Sequence, residues 1–162
     1  MPSNQRQKIY WDACVWLSYI NGITDRLPTL DALLADSASG NGSIEIYTSA
    51  LSQVEVAFGK MEQDKHVLDP QVEERIDQLW ADRDTVKIVE YHDGIGFEAR
   101  QLMRFAVIQT WTLKPIDAIH LATGKFMKVS EFHTYDDKLE KFSETVGFMV
   151  TKPHTAKPRL LI

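Results

Sequence analysis

The stretch Ile9-Tyr10-Trp11-Asp12-Ala13-Cys14-Val15-Trp16-Leu17 decides the fold. Its first three residues are β-branched or aromatic and read as a short strand. A carboxylate follows at once, and Ala13–Ile20 then reads as an apolar helix stopped by Asn21-Gly22. The same alternation continues outward from this unit. Leu30, Leu33 and Leu34 have i, i+3, i+4 spacing and give a second short helix. Ser39-Gly40-Asn41-Gly42 reads as a loop, Ile44–Thr48 as a strand, and Leu51–Gly59 as a helix. Asp69-Pro70 is a helix start, with Asp as N-cap and Pro in the first turn. A strand at Thr85–Glu90, a long helix from Asp93-Gly94, and a helix over Pro115–Met127 come next. A strand at Phe132–Tyr135, a helix at Asp137–Glu144 and a short strand at Gly147–Thr151 complete the pattern. Strands separated by helices imply parallel pairing with helical crossovers. The expected fold is a three-layer α/β/α sandwich around a mostly parallel sheet.

Length and composition narrow the function. The chain has 162 residues, 44% hydrophobic and 25% charged, which fits one globular domain. Residues 1–151 are read as that domain, and 152–162 as an irregular tail that packs on the domain or on a partner. The formal charge of −5 excludes a uniformly basic coat for nucleic acid but leaves room for a local basic patch. A lone cysteine, Cys14, cannot form an internal disulfide, and the simplest compartment is the reducing cytoplasm. No apolar run approaches the roughly 18 residues of a membrane span, so no membrane partner is expected.

In a parallel sheet the ligand site lies beyond the carboxyl ends of the strands. Asp12 and Asp136 follow strands directly, and Glu55 sits one turn into the helix after the second strand. Asp117 lies in the first turn of an otherwise apolar helix. Each acid alone has a purely structural reading. Asp12 and Asp136 suit N-caps, Ser52-Gln53-Val54-Glu55 has capping-box spacing, and Asp117 favours a helix N-terminus. Taken together, gathered carboxylates repel one another unless a cation sits among them. An oxygen-only set suits Mg²⁺ or Mn²⁺ rather than zinc.

These segments resemble the PIN-domain family. Ile9–Leu17 looks like its opening strand, Asp and apolar helix, and Thr48–Glu55 like the block ending in its acidic Glu. Lys114-Pro115-Ile116-Asp117-Ala118-Ile119-His120-Leu121-Ala122-Thr123 is the most specific match, and Phe132–Leu139 resembles the last block, a strand ending in Thr-x-Asp. The blocks run in order from about residue 8 to 150, and within the family the chain is similar to VapC-like toxins of toxin–antitoxin pairs. It departs at Cys14, where the family usually has Asn, Ser or Thr to hold the first Asp or its metal water; a thiol donates more weakly. Thr134 takes the place of the family's polar residue before the last Asp.

The resemblance implies a Mg²⁺- or Mn²⁺-dependent endoribonuclease in which Asp12, Glu55, Asp117 and Asp136 hold one or two ions. It also implies an RNA substrate, an antitoxin protein and a homodimer. Arg100 and Lys114 are the candidate RNA contacts; the alternative is a solvated charged face. Asp93 is a possible outer acid, with a helix N-cap as the alternative. His120 reads as a satisfied core or interface histidine, and the four tryptophans as core. Two rivals stand: a metal-independent ribonuclease using His92 or His133, and a catalytically silent PIN-like module that only binds RNA or protein.

Overall fold

The computed structural model describes residues 5–156. Its centre is a five-stranded sheet in the order β3-β2-β1-β4-β5, with every neighbouring pair parallel. The strands are β1 (Gln7–Trp11), β2 (Ile44–Ser49), β3 (Val86–Val89), β4 (Glu131–His133) and β5 (Met149–Thr151). The sheet is thus wholly parallel rather than mostly so. Chain order reverses about β1, which opens a crevice at the carboxyl ends of β1 and β4.

Strand alternation sorts the core into two layers. Ile9 and Trp11 face one side, where they meet α1 (Ala13–Ile20), α2 (Leu27–Ala38) and α5 (Pro70–Ala81) through Val15, Trp16, Leu30, Leu33, Ile76 and Trp80. Tyr10 and Phe132 face the other, stacked with ring centroids 4.8 Å apart. There they meet α6 (Asp93–Ile108), α7 (Pro115–Met127) and the segment from Asp137 to Val146. Three tryptophans form one chain: Trp11 to Trp16 at 4.6 Å and Trp16 to Trp80 at 5.5 Å between centroids. Trp111 packs edge-on against Phe142 at 5.2 Å. All four are packing residues, as their sequence context suggests.

Two helical segments differ from expectation, and the strand expected at Phe132–Tyr135 is β4, Glu131–His133. The helix expected over Leu51–Gly59 is only α3 (Ser52–Glu55), and α4 (Lys60–Lys65) follows it. Gly59 is extended and caps α4, with its N–H donating to Glu62 Oε1 at 2.8 Å. Met61 on α4 faces solvent, so the segment has too little apolar periodicity to be recognised as a helix. The helix expected at Asp137–Glu144 is a 3-10 turn over Asp137–Phe142 followed by α8 (Ser143–Val146). The end of the tail, Arg159-Leu160-Leu161-Ile162, lies outside the described residues. No helix among the described residues is long and apolar enough to cross a membrane.

Candidate active site

Asp12 ends β1 and begins α1. Its backbone N–H donates to the His133 carbonyl of β4 at 3.3 Å, and its Oδ1 accepts from the Val15 N–H at 3.4 Å. It is therefore an N-cap, yet only 5% of it is exposed. Burial raises its carboxyl above the ordinary value; hydrogen bonds from Cys14 and Thr134 oppose the rise. Cys14 Sγ–H donates to Asp12 Oδ1 at 2.8 Å, and the Tyr135 N–H donates to the same sulfur at 3.2 Å. Burial, followed by the charge of Asp12, pushes the Cys14 thiol up to about 12. It stays protonated at neutral pH and keeps its donor. The thiol thus holds the Asp12 carboxylate.

Asp136 follows β4 through Thr134, whose hydroxyl accepts from the Asp136 N–H at 3.0 Å. The Asp136 carboxylate accepts from the Lys138 N–H at 3.0 Å and caps the 3-10 turn. Asp137 is exposed, with Lys152 Nζ at 3.8 Å, so Asp136 is the acid turned to the site. Asp117 enters from the first turn of α7. Burial raises its carboxyl, and the charges of Asp12 and Asp136 raise it further, while His120 and Lys114 oppose them. Three acids from three separate segments are thus close enough to act on one another.

Glu55 arrives differently. The capping-box reading fails, because Leu51 rather than Ser52 caps α3 and the Ser52 hydroxyl is engaged with Thr48 at 2.7 Å. Glu55 Oε1 instead meets His120 Nε2. His120 Nδ1 faces the Tyr10 hydroxyl at 2.6 Å, and that hydroxyl accepts from the Ser49 N–H at 3.0 Å. With His120 neutral, one assignment satisfies every proton: Tyr10 donates to Nδ1, and Nε2–H donates to Glu55. His120 is a satisfied histidine, as its apolar helix suggests, and it is also the group that orients Glu55. Spacing held a hint, since His120 lies three residues after Asp117 on one helix face.

The basic residues divide. Lys114 caps α7 and its charge acts on Asp117, whereas Arg100 stands exposed on α6. Arg26 was not anticipated. Its guanidinium lies over the Tyr135 ring, 3.7 Å from the centroid, and donates to Ser18 Oγ at 2.8 Å. Tyr135 directly precedes Asp136 in the chain, which makes Arg26 a candidate rim cation. Only the fold brings it there.

The rival histidines are placed elsewhere. His92 caps α6, its Nδ1 accepting from the Gly94 N–H at 3.1 Å and its ring edge-on to Phe126. That leaves Asp93 as the first residue of the helix rather than its cap. His133 is fully buried, with Nε2 at 2.9 Å from Glu131, and burial lowers its pKa from the ordinary value. Neither is exposed at the cleft as an acid–base pair would need.

The donor chemistry of the cleft fits a hard divalent cation. The acids supply oxygen only, and the burial and mutual charge that raise Asp117 are relieved by a positive ion. Among the described residues the cleft oxygens do not form a trio within 4.8 Å of one another; Glu131, His133 and His154 do.

A wholly parallel sheet with carboxylates gathered at its switch point defines the class of an α/β domain with an acidic, cation-ready cleft. The model of the PIN domain family matches residues 9–145, and the chain belongs to that family. No curated protein sequence matches it. Solved structures share the fold at low identity. The toxin–antitoxin complex from Klebsiella pneumoniae is 20% identical with a TM-score of 0.59, over 91% of this chain and 99% of that one. FitAcB from Neisseria gonorrhoeae is 17% identical with a TM-score of 0.59, over 90% and 97%. VapC20 from Mycobacterium tuberculosis, described as a toxin that cleaves the sarcin–ricin loop, is 15% identical with a TM-score of 0.60, over 87% and 96%.

Proposed function

We propose that this chain is a Mg²⁺- or Mn²⁺-dependent endoribonuclease and the toxin of a toxin–antitoxin pair. The observation that carries the reading is the convergence of Asp12, Asp117 and Asp136, whose burial and mutual charge raise Asp117. Glu55, held by His120, completes the set. The sarcin–ricin-loop activity of the similarly folded VapC20, and the toxin–antitoxin complexes among the similar structures, support it.

One or two bound ions would supply positive charge for the scissile phosphate and acidify water at the site. Asp12, Asp117, Asp136 and Glu55 would hold them. The Cys14 thiol and Thr134 keep Asp12 and Asp136 in place, and Tyr10 and His120 keep Glu55 in place. Arg26 and Lys114 meet the phosphate at the rim, and Arg100 adds a contact along α6. One carboxylate accepts the proton of the attacking water. In-line attack leaves a 5′-phosphate and a 3′-hydroxyl.

The test is cleavage of a defined RNA with the product ends identified. Activity should vanish in EDTA, return with Mn²⁺ or Mg²⁺, and be lost in Asp12→Asn and Asp117→Asn. Full activity in either variant, or 2′,3′-cyclic phosphate ends, overturns the reading. A folded chain that binds RNA but never cuts it, whatever the metal, is instead a silent binding module. Growth arrest on expression, relieved by co-expressing the adjacent upstream gene, tests the antitoxin. Light scattering of the purified chain tests the homodimer.

A further inference from the structure

A second group of ligand atoms lies off the acidic cleft. Glu131 and His133 are residues i and i+2 of β4, so their side chains share one face of the sheet. Both are fully buried there. His154 follows the end of β5, the strand paired beside β4 in the register Glu131 to Met149 and His133 to Thr151. It folds back so that its Nε2 lies 2.8 Å from Glu131 Oε2, and His133 Nε2 lies 2.9 Å from the same oxygen. The three ligand atoms all fall within 4.8 Å of one another.

We propose that Glu131, His133 and His154 form a binding site for a zinc-type divalent ion, separate from the nuclease cleft, that clips the segment after β5 to β4. The donor set differs in kind from the cleft. Two imidazoles and one carboxylate suit Zn²⁺ and its borderline neighbours, whereas an all-oxygen set suits Mg²⁺ or Mn²⁺. Three protein ligands with a fourth position left for water is an established zinc arrangement. The spacing also fits. Ligand atoms about 2.0–2.1 Å from a tetrahedral centre stand roughly 3.3 Å apart; the two Glu131 contacts need to open by a few tenths of an ångström, and the two imidazole nitrogens, already within 4.8 Å of each other, need to reach that spacing.

Access agrees with the assignment. His154 is 28% exposed at its side chain, and a cavity of about 290 Å³ lined by Glu131, Thr151, Pro153 and His154 gives a way in. His133 Nδ1 has no hydrogen-bond partner among the described residues. Coordination through Nε2 places the ring proton on Nδ1, so the bound ion must offset a buried N–H without an acceptor. Thr155 and Ala156, just beyond His154, line a hollow together with Ala32 and Leu33 of α2. A bound ion would thus fasten the chain after β5 across the edge of that layer.

The test is titration of the full chain with Zn²⁺ alone by calorimetry, and with Co²⁺ alone by visible absorption. One ion per chain should bind with the absorption bands of a four- or five-coordinate nitrogen–oxygen site. Amide exchange at Thr155 and Ala156 should slow on binding. His154→Ala, at a partly exposed position, should weaken Zn²⁺ by about 100-fold or more, while Asp117→Asn should leave it within about twofold. Equal affinity in His154→Ala overturns the proposal, as does binding lost in Asp117→Asn instead. No binding tighter than about 1 mM overturns it too. None of these outcomes depends on ribonuclease activity, so the two readings fail separately.

Discussion

β4 carries one kind of site beyond its carboxyl end and the opposite kind on one of its faces. Asp136, beyond its carboxyl end, joins a cleft assembled from the termini of several segments, open to solvent and built from oxygen. Glu131 and His133, within the strand, belong to a buried nitrogen–oxygen cluster closed by a residue from the next segment. In the first kind the charges of Asp12 and Asp136 raise Asp117, a repulsion that a cation would relieve. The second brings its ligand atoms nearly into contact, which suits an ion that is held and not used. On the two proposed readings, chemistry lies beyond the strand and fastening on its face.

The largest expected effect falls on the cleft alone. Asp12→Asn or Asp117→Asn should lower RNA cleavage by about a hundredfold or more in saturating Mn²⁺, with Zn²⁺ affinity unchanged. A parallel loss at both sites would erase the distinction between them. His120→Gln comes next. Glu55 loses its oriented partner, and metal-dependent activity should fall by about 10- to 100-fold, as for other outer partners of metal ligands. The positioning role predicts a raised Mn²⁺ requirement, measured as activity against metal concentration; a change in folding alone would not shift that requirement. Tyr10→Phe should act the same way, more weakly.

Acidity gives a third comparison. The Asp12 and Asp117 carboxyls are raised in the folded chain. Folded protein therefore binds those protons more readily than unfolded protein does. Without divalent metal, stability should fall as pH rises from the ordinary carboxylate range through the raised values, then level off. Asp117→Asn should flatten that part of the profile, and Mn²⁺ should offset the loss in the parent. Thermal melts across pH measure it, and a profile that rises over that window contradicts the account of the cleft.

The smallest effects fall on Cys14. With its thiol pushed up to about 12, it should alkylate far more slowly than a free cysteine at pH 8. Cys14→Ser keeps a donor to Asp12 and should retain activity within a few-fold. Cys14→Ala removes the donor and should cost about 1 kcal/mol of stability, read as a lowered melting temperature. Equal behaviour of the two variants would mean that the donor does not matter.

Much of this was legible in the sequence, for a reason visible in particular residues. Asp12 directly follows the apolar Ile9–Trp11 and Asp136 the strand-like Phe132–Tyr135, and both positions are local properties. Asp117 stands out because Ile116, Ala118 and Ile119 around it are apolar. Glu55 was legible as an acid but not in its bonding, since Ser52 offered an equally good local partner. The α4 helix is not legible because its one apolar residue, Met61, faces solvent.

The sequence by itself determined the alternation of strands and helices, the order of the acidic blocks and the absence of any cysteine pair, because all of these depend on near neighbours. Tertiary structure decided the rest. It chose His120 as the holder of Glu55, brought Arg26 over Tyr135, gave the Cys14 thiol its burial, and set His154 against Glu131 and His133. Each of those contacts joins residues far apart in the chain. Periodicity and spacing report which face a residue takes, and packing of the sheet against its two helical layers decides what it meets there.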